Sequence, residues 1–191
     1  LIKKNEEAYA NVFTIHYPDE EREEGRPLRQ APCYDRLKDN GAVFGQKFGW
    51  ERANWFAPKG VEQKDDWSFR RSKWFKHVGN ECKNVQENVG LLDMTAFAKC
   101  RISGPGAESF LDNLIANKLP KKNGRINLCH ALNTNGGVLS EYTIAKESND
   151  SYYIVSAGAF QRLDHDWINK WLPKDRSVTF ENLTNSIGVL V

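Results

Sequence analysis

Residues 125–146 read RINLCHALNTNGGVLSEYTIAK: two strand-like runs with NTNGG between them. Glycine supplies the positive backbone angles that a tight reversal needs, so the pair predicts a β-hairpin. In the second run Leu139, Glu141, Thr143 and Ala145 share one face, and Ser140, Tyr142 and Ile144 share the other. Glu141 therefore poses a question. A buried carboxylate is costly unless it is paired, hydrogen-bonded or used. A solvated one is only the polar side of a strand, and carboxylates are seldom fully buried. In the first run His130 lies between apolar neighbours and reads as a hydrogen-bonded core residue rather than a catalyst.

Further elements lie on either side of the hairpin. KCRISG, SYYIVSAG, SVTFENL and IGVLV read as strands. PGAESFLDNLIANKL carries Ala107, Phe110, Leu111, Leu114 and Ile115 in one stripe, the mark of an amphipathic helix. AFQRLDHDWINKWL places Phe160, Leu163, Trp167, Ile168, Trp171 and Leu172 on one helical face, and around WFKHVGNECKNVQENVG Cys82, Val85, Val89 and Leu92 fall at helical spacing, with Gly90 near the C-cap. Helices and hairpins mixed without strict βαβ alternation predict an α+β fold with a largely antiparallel sheet and packed helices.

Composition changes near residue 60. Before it, residues are rich in Gly, Pro, Arg and aromatics with little apolar period, and VEQKDDWSFRRSK then reads as a charged connector. PCYDRLKDNGAVFG offers a short helix, a glycine stop and an extended run. The aromatic residues of FGQKFGWERANWF are expected to pack as a small cluster. The division expected is residues 1–60 and 61–191.

The formal net charge is +2 with the signs mixed, so nothing points to nucleic acid as a partner. No apolar run is long enough to span a bilayer, and LIKKNEEAYANVF lacks a signal-peptide core. With no initiator Met and an apolar end, the chain is expected to be cut from something longer. The four cysteines and four histidines are scattered, without metal-ligand or redox spacing. Reduced thiols in a cytosolic or mitochondrial-type compartment are expected. SGPGAESF imitates a phosphate loop but lacks the Lys-Ser/Thr of one, and reads as a strand-to-helix turn.

Two longer segments carry a resemblance. IHYPDEEREEGRPLRQAPCYDRLKDNGAVFGQKFGWERANWFAP resembles the central linking segment of the dimethylglycine and sarcosine dehydrogenases, through GRPLR, YDRL and GAVFG…GWERANWF. From about Trp67 onward the chain resembles the N-terminal part of the aminomethyltransferase (glycine-cleavage T-protein) domain. VGLLDMTAFAKCRISGPGAESFLDNL is similar to VGLFDxSxMxxxxxxGxDAxxFL, and LNTNGGVLSEYTIAK to NxxGGxxDDxxV.

The resemblance implies an internal fragment of a folate-dependent oxidative N-demethylase, incomplete at the C-terminus of its folate domain. FAD would act upstream, and no GxGxxG occurs in this chain. Tetrahydrofolate would bind here and accept the one-carbon unit, giving methylenetetrahydrofolate. Glu141 matches the second Asp of GGxxDD and is implied as the catalytic carboxylate. The strand face would then be the floor of a folate pocket. Phe97, Leu128, Tyr142, Val155 and Ala157 are implied as cofactor-binding residues, although Leu128 replaces a Tyr and Ala157 the Asn of VxN. The implied partners are a methylated amine, folate and the rest of the parent enzyme, with no membrane. The compartment would be the bacterial cytoplasm or, in a eukaryote, the mitochondrial matrix. A sarcosine or other methylated substrate, and a non-catalytic folate-binding module, are the alternatives.

Overall fold

The structure, a computed structural model, describes residues 1–191. It divides into two compact units, Leu1–Met94 with Val189–Val191, and Thr95–Gly188. The boundary expected at residue 60 falls inside the first of these.

The first unit holds α1 (Ile2–Ala10), α2 (Tyr34–Asp39), β1 (Ala42–Lys47), β2 (Trp50–Phe56) and α3 (Trp74–Glu87). β1 and β2 form an antiparallel ribbon. The aromatics of FGQKFGWERANWF do not form one cluster: Phe44 packs on Tyr34, Phe48 is exposed, Trp50 lies under Arg29, and buried Trp55 stacks on His77 at 5.6 Å and donates its indole N–H to Asp65 at 2.8 Å. Arg26 reaches the ribbon with a 2.6 Å ion pair to buried Glu51 and a 2.9 Å bond to the Phe44 carbonyl. The stripe expected of α3 is wrong. Cys82, Val85, Val89 and Leu92 are all exposed, and the helix instead packs Trp74 and Val78 against Val43, Trp55 and Ala57. IGVLV does not extend a sheet; Leu92 and Val191 exchange backbone bonds of 2.7 and 3.0 Å beside a single bridge between Asp93 and Leu190.

The second unit is built on one sheet. Its elements are β3 (Ala98–Ser103), α4 (Ala107–Leu114), β4 (Ile126–Leu132), β5 (Val138–Ser148), β6 (Ser151–Ser156), a 3₁₀ turn (Gly158–Phe160), α5 (Gln161–Trp171) and β7 (Thr179–Asn182). The strand order is β4-β5-β6-β3-β7, antiparallel throughout. The hairpin turns at Gly136, whose φ of 80° is the left-handed angle the sequence anticipates.

Alternation along the strands sorts the two faces. Cys100, Ile102, Cys129, Ala131, Tyr142, Ile144, Tyr152 and Ile154 point inward and form one core with Ala107, Phe110 and Leu111 of α4 and Ile168 of α5. Each fully buried aliphatic side chain contributes about 1.5–3 kcal/mol relative to exposure. The stripe of α4 is as expected. That of α5 is half so: Ile168 is buried and Trp167 and Leu172 pack against the core, but Phe160, Leu163 and Trp171 are exposed and Asp164 is buried in the packed face. An aspartate occupies the centre of the packed face because two hydroxyls from the sheet meet it there.

SGPGAESF is a strand-to-helix turn, as expected. The amide of Gly104 donates to the Asp150 carbonyl at 2.9 Å and that of Gly106 to the Ser177 carbonyl at 3.0 Å, so these donors are engaged internally.

Candidate functional site on the outer face of the sheet

The face of the sheet opposite α4 and α5 carries the residues singled out above. Two rows cross it. Leu128 pairs with Thr143, Thr143 with Val155 and Val155 with Lys99. In the adjacent row His130 pairs with Glu141. Ala98 pairs with Ser156, so the next residues outward, Phe97 and Ala157, meet at the ends of β3 and β6 in continuation of that second row. Glu141, Leu128, Val155, Ala157 and Phe97 are thus brought together on four neighbouring strands.

Glu141 lies open on this face, with 61% of its side chain exposed. The expected pocket floor is an open face here, with no enclosing cavity around Glu141. Leu128, one row along from it, and Ile126, two rows along, are 51% and 57% exposed and form an apolar strip on β4.

Tyr142 stands apart from the other five. It is 1% exposed, points to the helix side and donates to Asp164 Oδ1 at 3.2 Å. Ser156 donates to Asp164 Oδ2 at 2.5 Å. Burial, reinforced by the Asp164 charge, pushes the Tyr142 phenol well above its ordinary value. Burial likewise pushes the Cys100 thiol beneath it up to about 12. This is the chemistry of a packed interior, and Tyr142 cannot touch a ligand that lies on Glu141.

His130 is also misplaced by the sequence. It is not a core residue: its neighbours Cys129 and Ala131 are fully buried, and alternation turns the imidazole outward. Nε2 lies 3.3 Å from Glu141 Oε2. The signal was present in the hairpin register, which sets these two residues opposite one another.

Two cations complete the face. Lys99 is 1% exposed and donates to the carbonyls of Thr95 at 2.6 Å and Phe97 at 3.0 Å, which fixes the segment that presents Phe97. Arg101 holds Glu147 through bonds of 2.7 and 3.0 Å and Glu181 at 3.0 Å. Those bonds raise the guanidinium and hold the Glu147 carboxyl below its usual range. A separate groove of about 530 Å³, lined by Phe110, Leu132, Trp167 and Trp171 among others, lies on the helix side of the sheet.

The family model for the GCVT N-terminal domain matches residues 33–191, and that for the FAD dependent oxidoreductase central domain matches residues 1–31. Mitochondrial dimethylglycine dehydrogenase of Rattus norvegicus is 32% identical over 188 residues, covering 98% of this chain and 22% of that protein. The 4-methylaminobutanoate oxidase (formaldehyde-forming) of Paenarthrobacter nicotinovorans is 30% identical over 162 residues, 85% of this chain and 20% of that one. The mitochondrial pyruvate dehydrogenase phosphatase regulatory subunit of Mus musculus is 33% identical over 180 residues, 91% of this chain and 20% of that one. The chain thus spans about a fifth of the length of these relatives. In structure, the glycine cleavage system aminomethyltransferase T of Bartonella henselae superposes with a TM-score of 0.63 at 18% identity, over 82% of this chain and 38% of that one. That likeness establishes the fold.

Proposed function

We propose, for a chain that belongs to the GCVT N-terminal domain family, that the outer face of its five-stranded sheet is one wall of a tetrahydrofolate site. The protein that carries it would be an FAD- and folate-dependent oxidative N-demethylase of the dimethylglycine dehydrogenase type. The observation that carries this reading is the convergence of Glu141 with Leu128, Val155, Ala157 and Phe97 on two adjacent rows of one exposed face.

The residues fit such a group. Exposed Ile126 and Leu128 offer apolar surface that gains by being covered, and Glu141 stands one row from Leu128. Tetrahydrofolate, when bound, supplies the nitrogens that capture the one-carbon unit. FAD, when bound, supplies the hydride acceptor that makes the methyl group of the amine electrophilic. Glu141 would hold and move a proton: its carboxylate would receive the N–H proton of one folate nitrogen and return it to the departing amine, while the N–H proton of the second nitrogen leaves to solvent, so the side chain ends as it began. Its negative charge also stabilises positive charge as it develops nearby. Lys99 keeps Phe97 at the rim by holding its carbonyl. The same reading assigns the protein to the mitochondrial matrix in a eukaryote or the cytoplasm in a bacterium.

The test is made on the full-length protein with dimethylglycine, sarcosine and tetrahydrofolate, with free formaldehyde scavenged. Glu141→Gln is expected to lower methylenetetrahydrofolate formation by about 100-fold while flavin reduction keeps its rate. The one-carbon unit should then appear as formaldehyde. An equal fall in both steps, or no fall in either, contradicts the assignment.

One observation favours a second reading, a non-catalytic folate-binding module. Aliphatic Leu128 and Ala157 stand on the face where the aminomethyltransferase pattern has polar partners. That reading expects tetrahydrofolate to bind and Glu141→Gln to leave every rate unchanged.

A further inference from the structure

We propose that His130 is the positioning residue for Glu141: its imidazole holds carboxylate oxygen Oε2 over the sheet and leaves Oε1 for the reacting nitrogen. This rests on the folate reading above and adds a second residue to it. The pair is directly opposed across β4 and β5, where side chains on one face come within contact distance. Nε2 of His130 and Oε2 of Glu141 lie 3.3 Å apart, within ion-pair reach.

The imidazole is well placed for the task because its strand is fixed on both edges. On the far side from β5, the His130 carbonyl accepts from the Ala116 amide at 2.9 Å, and Asn117 donates to the Leu128 carbonyl at 2.8 Å. One third of the imidazole is exposed, against 61% of Glu141, so the histidine is the more enclosed partner and the glutamate the more mobile one. A glutamate side chain turns about three torsions, and an open one samples many rotamers. Other cations of this face are directed elsewhere. Lys99 binds the carbonyls of Thr95 and Phe97, and Arg101 binds Glu147 and Glu181. Holding a reactive group in its productive geometry is worth large factors in rate, and a displacement of about 1 Å can cost about 100-fold.

A double-mutant cycle on the full-length protein tests the assignment, with Glu141→Gln, His130→Leu and the double variant, and with His130→Gln as the variant that keeps an N–H donor at similar reach. His130→Leu is expected to lower kcat for methylene transfer on the order of 10-fold, with the KM for tetrahydrofolate and flavin reduction unchanged. His130→Gln should recover most of that loss. In the Glu141→Gln background His130→Leu should cost nothing more, since there is no carboxylate left to position. Crystals supply a readout apart from activity: the Glu141 carboxylate should hold one conformer in the parent protein and spread over several in His130→Leu. Additive losses, no recovery with Gln, or an unchanged Glu141 conformer would overturn the role of His130 while leaving the folate reading in place. If Glu141→Gln alone leaves methylene transfer intact, the catalytic role of Glu141 falls and this one with it.

Discussion

Tyr142 and Asp164 join the middle of the sheet to the helix behind it: the phenol donates to Oδ1 at 3.2 Å, and Ser156 donates to the other oxygen of the same carboxyl at 2.5 Å. Asp164 is 2% exposed, so both hydroxyls depend on it. Asp164→Ala strands two buried donors and is expected to cost about 3 kcal/mol of unfolding free energy. Tyr142→Phe removes one bond and should cost about 1 kcal/mol. Urea titration of the variants checks both. A loss for Asp164→Ala within that of an ordinary surface substitution would mean that the cluster does not hold α5 to the sheet.

Two helices with similar apolar stripes should respond differently to truncation. Leu111 of α4 is fully buried, and Leu111→Ala is expected to cost about 2–5 kcal/mol. Val85 of α3 is 51% exposed, and Val85→Ala should stay within about 0.5 kcal/mol of the parent. Thermal or urea unfolding of the two variants side by side decides the comparison.

The turn between β3 and α4 tolerates no side chain at Gly104. Its φ is 116°, and a Cβ there would collide with the Ser177 carbonyl oxygen. Gly104→Ala is expected to lose about 2 kcal/mol or more, from the strained angle and the clash together. Gly124→Ala, at φ 78° but with open space around it, should lose less. The difference between the two variants' melting temperatures measures the clash.

Acid should weaken the sheet at identifiable carboxylates. Arg101 holds Glu147, and Lys146 with Tyr152 holds Glu108, each below the ordinary value of 4.5. A carboxyl depressed in the folded state contributes stability that is present above its unfolded value and drains as pH falls through the folded one. Both groups are partly or largely exposed, so each contribution is expected to be under about 1 kcal/mol. Unfolding free energy followed from about pH 7 down to pH 3 should fall, and Glu147→Gln should flatten part of that fall.

The sequence was most informative where period and turn chemistry agreed. NTNGG and the alternation on both sides of it specify the β4–β5 hairpin, and the stripe of Ala107, Phe110 and Leu111 specifies α4. It failed where tertiary partners decide. A periodic stripe cannot report whether another element arrives to cover it, so Val85 and Val89 looked like core and are not. Asp164 looked polar and is buried, because its hydroxyl partners come from strands that a helical pattern does not reveal. On the site, alternation alone placed Tyr142 away from Glu141, and residues matched by motif did not carry that geometry. The register that opposes His130 to Glu141 was available from the hairpin, but the apolar neighbours of His130 drew it into the core.

The most direct measurement is the dissociation constant of tetrahydrofolate for the full-length protein and for Leu128→Asp. Leu128 is half exposed on the outer face, so the substitution should leave the fold intact while placing a charge on the proposed platform. A wall for folate predicts that binding weakens by about 10-fold or more, with flavin reduction by the amine unchanged. Equal affinity in the two proteins, or no affinity in either, would contradict the account.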